Sequence, residues 1–127
     1  MNVERITEII NAKPNLSTAL GMEFISTPED DTCMARMKVD ERNRQPFGFL
    51  SGGASLALAE NVAGVGSSAL CPGCACVGLE VSGSHVQAVS GFAAWRIVRN
   101  EQSSVDMCRH FGRDAISLVT HHDDAMW

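Results

Sequence analysis

From Gln45 to Trp95 the chain carries no lysine or arginine and only two carboxylates, Glu60 and Glu80. Charged side chains are rarely buried without partners, so a 51-residue stretch this poor in them marks the interior of a fold. Its centre, residues 54–70, is apolar on nearly every helical face, the pattern of a helix surrounded by protein. All ten Lys and Arg are displaced to residues 5–44 and 96–113. Glu60 is therefore a lone charge in the most apolar segment, where desolvation is expected to raise its pKa toward the range useful for acid–base work.

The 127 residues suit one domain, expected to span 1–127 and to bury about two-thirds of its unfolded surface. A net charge of −5 offers no basic face for a nucleic acid. No apolar run reaches the roughly 18 residues of a membrane span. The start, Met1-Asn2-Val3-Glu4-Arg5, lacks the apolar core of a secretion signal. Five cysteines cannot all pair within one chain, so reduced thiols and a cytoplasmic location are expected.

Val3, Ile6, Ile9 and Ile10 have helical spacing and stop before Pro14, predicting a short amphipathic helix. Residues 22–26 and 33–39 alternate like strands about the turn-like Thr27-Pro28-Glu29-Asp30-Asp31, predicting a hairpin. A Pro- and Gly-punctuated loop over 43–48 leads to the apolar helix, whose small residues let a sheet approach closely. Beyond it, 76–81, 85–89, 92–98, 103–108 and 115–120 read as strands.

The chemistry-bearing segment is Gln45-Pro46-Phe47-Gly48-Phe49-Leu50-Ser51-Gly52-Gly53, followed on the helix by Ala59-Glu60. Paired glycines at a helix start let a ligand reach its free backbone N–H groups. The positive end of the helix dipole lies there, a suitable place for a carbonyl oxygen that gains negative charge. Glu60 lies eight residues past Gly52, about 12 Å along the helix, so a site using both is more easily built from two chains. Ser51 alternatively serves as a plain N-cap, and Gln45 as a loop tie. Cys71, Cys74, Cys76 and His85 invite comparison with a tetrahedral zinc site. A second Cys-x-x-Cys is missing, so no metal is expected.

This segment resembles hotdog-fold acyl-CoA thioesterases of the phenylacetate and 1,4-dihydroxy-2-naphthoyl-CoA type. Their usual pattern is Gln-Pro-x-Gly-x-x-His-Gly-Gly, then Ala-Glu on the central helix, and the spacing here is intact. The run from Val77 to His85 is also similar to the family's next strand. The resemblance implies an α+β hotdog fold, an antiparallel sheet wrapped around a long central helix, assembled as a homodimer and further as a homotetramer. It implies hydrolysis of a small acyl- or aryl-CoA, or carrier-protein, thioester at the subunit interface, with coenzyme A as part of the substrate and no separate cofactor.

In that scheme the amide of Gly52 polarises the thioester carbonyl. Glu60 from the partner subunit acts as general base or nucleophile, and Gln45 orients the carbonyl or the water. Ser51, Gly53, Gly64, Ser82, Gly83 and His85 would line the bound substrate. Arg96, Arg99, Arg109 and Arg113 are candidates to meet the phosphates of coenzyme A.

Two positions depart from the pattern. Ser51 stands where the family's usual His precedes Gly-Gly, and Gly64 where relatives often carry Ser or Thr. A Ser still donates one hydrogen bond but cannot become a cation. These departures motivate an alternative, a protein that binds acyl-CoA with little or no turnover. A hydratase reading on the same fold lacks its Asp/His dyad.

Overall fold

The structure, a computed structural model, describes residues 1–73, 76–78, 81–83, 85, 87–98 and 120–121, with the backbone alone for 94–98 and 120–121. The expected hairpin is present as β1 (Met22–Ile25) and β2 (Thr32–Lys38), paired antiparallel with Met22 opposite Met37. Its alternation is realised as burial: Cys33, Ala35 and Met37 face inward, while Arg36 and Lys38 on the other face reach solvent. β3 (Phe92–Val98) pairs antiparallel along the whole of β2, and a two-residue β4 (Thr120–His121) follows it, giving the order β1-β2-β3-β4.

The apolar run forms α3 (Gly52–Leu70), packed against β2 and β3. Ala54, Ser55, Leu58, Ala59, Val62, Val65 and Gly66 are buried and fall on one side of the helix. Close approach needs Gly66, because a Cβ there would lie 3.1 Å from the Cβ of Cys33 on the central strand. Glu60, expected among apolar side chains, is exposed instead, whereas every other residue of 54–70 is buried or half-buried.

Two short helices precede the hairpin. In α1 (Glu4–Asn11), Ile6 and Ile10 rest on the core, but Ile9, expected on the same face, is largely exposed. Sequence periodicity misses α2 (Leu16–Leu20), since five residues hold too few turns to repeat. Its signals were the caps. Asn15 Oδ1 accepts from the Thr18 N–H (3.1 Å), Thr18 Oγ1 accepts from the Asn15 N–H (3.0 Å), and Gly21 closes the helix at φ +72°.

The strands expected over 76–81 and 85–89 do not form among the described residues of those spans. Backbone groups there are used elsewhere: the Leu50 N–H donates to the Val89 carbonyl (2.8 Å), and the Val39 N–H to that of Gly91 (2.8 Å). The expected strand over 103–108 lies outside the described residues, as do Arg99, Arg109 and Arg113.

Burial pushes the Cys33 thiol up to about 11 from a usual 9.0. The folded state therefore holds this proton longer than the unfolded state. Its stabilising contribution is intact below pH 9 and is lost as pH rises through 11. We expect iodoacetamide at pH 8 to leave Cys33 unmodified in the native protein and to label it after denaturation, read by peptide mass spectrometry. Native labelling of Cys33 would contradict this placement.

Candidate functional site

The loop that carries Gln45 is tied down by its backbone. The Gly48 N–H donates to the Gln45 carbonyl (2.9 Å), a turn with Pro46 in its second position, and Gly48 then takes φ +89°. The Gln45 N–H closes the loop on the Phe49 carbonyl (2.8 Å). This leaves the Gln45 and Phe47 side chains exposed.

Sequence inspection passed over the residue that anchors this loop. Asn43 is buried, and its Nδ2 donates to the Lys38 carbonyl (2.8 Å) while its Oδ1 accepts from the Asp40 N–H (3.1 Å). Its own carbonyl accepts from the Ser51 N–H (2.9 Å), fixing the entry to α3. Only its position after a strand, in Asp-Glu-Arg-Asn, hinted at such a turn. Nearby, the Arg42 guanidinium grips both oxygens of Asp40 and holds that carboxyl well below the usual range, at about 2.

Ser51 occupies the N-cap of α3, as expected, but its side chain makes no capping hydrogen bond. The Ser55 N–H is bonded to the Ser51 carbonyl (3.0 Å) as the helix ladder begins. Gly52 and Gly53 precede that first bond, so their N–H groups have no partner within the helix and point out of its positive end.

Gly52, Leu56 and Glu60 form a stripe at four-residue intervals along α3 that borders its buried face, Gly52 and Leu56 half-buried and Glu60 exposed. Gly78, Gly83 and His85 lie over this stripe in the reverse order. A Cβ on Gly52 would lie 2.9 Å from Cε1 and 3.2 Å from Nε2 of His85. One on Gly83 would lie 3.1 Å from the Leu56 side chain, and one on Gly78 only 2.6 Å from Oε1 of Glu60. His85 therefore sits at the amide end of the stripe and Glu60 at the other.

The continuous helix keeps Gly52 and Glu60 about 12 Å apart within one chain. Gly64, a turn beyond Glu60, is open: a Cβ there would meet nothing within 4 Å. Ser82, Gly83 and Gly53 are exposed. An open depression of about 650 Å³ is lined by Glu41, Arg44, Gln45, Pro46, Phe47 and Gly48, and includes neither Gly52 nor Glu60. Cys76 forms no disulfide among the described residues, Cys74 lies outside them, and they contain no cluster of metal-ligating side chains. No helix among them is long and apolar enough to cross a membrane.

No family model matches the chain. PA1618 from Pseudomonas aeruginosa, named a putative esterase, is 40% identical over 111 residues, 84% of this chain and 70% of that protein. The 1,4-dihydroxy-2-naphthoyl-CoA hydrolase of Escherichia coli is 48% identical over 59 residues, 46% of this chain and 43% of that protein. The chain spans between 43% and 64% of the length of six of the curated relatives it matches.

Among solved structures, the thioesterase HI1161 from Haemophilus influenzae matches with a TM-score of 0.70 at 33% identity, over 78% of this chain and 68% of that one. Two structures of SAV0944 from Staphylococcus aureus match at TM-scores of 0.60 and 0.56, with 30% and 27% identity. They cover 67% and 68% of this chain and 72% and 73% of theirs. One has a glutamine replaced by alanine, the other a glutamate.

Proposed function

This chain belongs to the hotdog-fold thioesterase family, and on that premise we propose that it hydrolyses small acyl- or aryl-CoA thioesters at a site shared by two subunits. The observation that carries the reading is the placement of Gly52 and exposed Glu60 on one stripe of α3, about 12 Å apart. That separation is too long for one chain to offer both groups to a single carbonyl. A second copy with α3 antiparallel to the first brings the partner subunit's Glu60 to the amide end. Such pairing gives a homodimer and, by repetition, a homotetramer.

Water attacks the thioester carbonyl while the partner subunit's Glu60 accepts its proton. Negative charge gathers on the carbonyl oxygen, where the Gly52 N–H and the helix dipole stabilise it. Collapse breaks the C–S bond, and the proton passes to the leaving thiolate, giving a carboxylic acid and free coenzyme A. Gln45 orients the water or the carbonyl. His85, beside Gly52, borders the acyl group or the pantetheine arm, and Ser51, Gly53, Gly64, Ser82 and Gly83 line the remainder. Coenzyme A takes part only as a portion of the substrate, and we place the reaction in the cytoplasm. The glutamine and glutamate replaced in the two SAV0944 structures lie 15 positions apart, as do Gln45 and Glu60, which supports reading these two as a functional pair.

Thiol release from a panel of aryl-, short- and medium-chain acyl-CoA esters tests the proposal. We expect turnover of at least one ester. Measurable coenzyme A binding without hydrolysis of any ester would instead favour the binding reading raised by Ser51 and Gly64. Ser51→His is expected to raise kcat on the accepted ester, because an imidazole at the helix start adds a stronger and ionisable donor. Stability should be little changed, since the Ser51 hydroxyl makes no cap to lose. An unchanged or lower kcat would remove position 51 from the chemistry.

A further inference from the structure

We infer that Gly78 is a positioning residue for the Glu60 carboxylate: its missing side chain creates the seat in which that carboxylate rests. The inference rests on the hydrolytic reading of Glu60 and concerns what holds its reactive end in place.

Glycine is often required where the backbone takes a positive φ. Among the described residues the positive-φ glycines are Gly21, Gly48 and Gly73, so the backbone makes no such demand at Gly78. Space does. A Cβ at Gly78 would lie 2.6 Å from Oε1 of Glu60 and 3.2 Å from both its Cδ and its Cγ, and all three nearest atoms belong to that one side chain. Ordinary contact between such atoms begins near 3.5 Å. A methyl group at 78 must therefore displace something, and the atom in its way is the far end of a flexible side chain rather than backbone. The substitution costs the fold little and moves the carboxylate.

Glu60 needs such a restraint. It is exposed, and among the described residues no hydrogen bond or ion pair holds its carboxylate. The helix fixes its Cα, while its side-chain torsions leave the carboxylate several positions. What remains is packing against the described residues that lie along α3, with Gly78 over Glu60, Gly83 over Leu56 and His85 over Gly52. A general base works only within hydrogen-bond reach of the proton it takes.

The test measures kcat, KM and Tm for Gly78→Ala on an ester that the wild type hydrolyses. Displacing a reacting group by about 1 Å costs up to about 100-fold, so kcat is expected to fall by about 10- to 100-fold with KM and Tm little changed. Gly91→Ala is the control, because a Cβ there meets nothing within 4 Å and the backbone has no positive φ. In a Glu60→Asp background, where the carboxylate is withdrawn by one methylene, Gly78→Ala should cost less than it does beside Glu60.

If Glu60→Gln is inactive while Gly78→Ala keeps the wild-type kcat, the positioning role is overturned and the hydrolytic reading stands. Equal losses of Tm from Gly78→Ala in the wild-type and Glu60→Ala backgrounds would also overturn it, as the mark of a backbone role. Full activity in Glu60→Gln would overturn both readings together.

Discussion

Glu60→Gln is expected to lower kcat for thioester hydrolysis by about 100- to 10,000-fold, the usual contribution of a positioned general base. Glutamine keeps the length and shape of the side chain and so preserves its packing against Gly78. It loses the ability to accept a proton from water. KM should change little, because the carboxylate is proposed to contact the attacking water rather than to hold the coenzyme. Stability should be unaffected, since Glu60 is exposed and makes no ion pair among the described residues. Wild-type kcat in the mutant would remove Glu60 from the reaction.

Leu58→Ala is the substitution expected to cost most in stability. Leu58 has 0% of its surface exposed and lies on the buried side of α3, in a cluster with Ala35 and Met37 of β2 and Val62 one turn on. Removing its branched end forfeits apolar burial and leaves a cavity that a helix packed on a sheet cannot readily close. Such truncations cost about 2–5 kcal/mol, against a total stability of about 5–15 kcal/mol for a domain. We expect Tm to fall by roughly 10–20 °C. Leu16→Ala, at a position 53% exposed, should shift it far less. Urea or thermal denaturation monitored by circular dichroism measures both, and equal losses would deny Leu58 its place in the core.

Elements that carry their own pattern were legible before any tertiary contact was known. The hairpin is one, because alternation over residues 33–39 matches a strand with one face buried. The long helix is another, since a run of mostly apolar and small residues over 54–70 gains most by packing against a sheet. Its motif, from Gln45 through Gly52-Gly53 to Glu60, was legible because these chemical demands bind residues at fixed local spacing.

Other features were not legible, each for a reason. α2 is too short for periodicity and is held by its caps. Residues 76–89 are strand-like in composition, but a strand exists only where a neighbour completes its ladder; the described residues among them form none, and the Val89 carbonyl accepts from the Leu50 N–H. Asn43 looked like an ordinary turn residue, and its hold on both Lys38 and Ser51 depends on where two separate segments meet.

By itself the sequence determined that residues 54–70 form a helix of the interior, that lysine and arginine lie outside residues 45–95, and that Glu60 is an exception requiring a purpose. Those are consequences of solvation, which acts on each residue wherever it lies in the chain. Scarce charge did not mean burial throughout 45–95, because Phe47 and Val77 are exposed while Val3, Met22, Cys33, Ala35 and Met37 join the core. Only the tertiary structure decided that Glu60 faces away from the core and against Gly78, with His85 eight residues back along the helix at Gly52. A helix apolar on every side has no intrinsic inner face. Which side is buried is settled only when β2 and β3 close on it and leave the stripe of Gly52, Leu56 and Glu60 bordering that side.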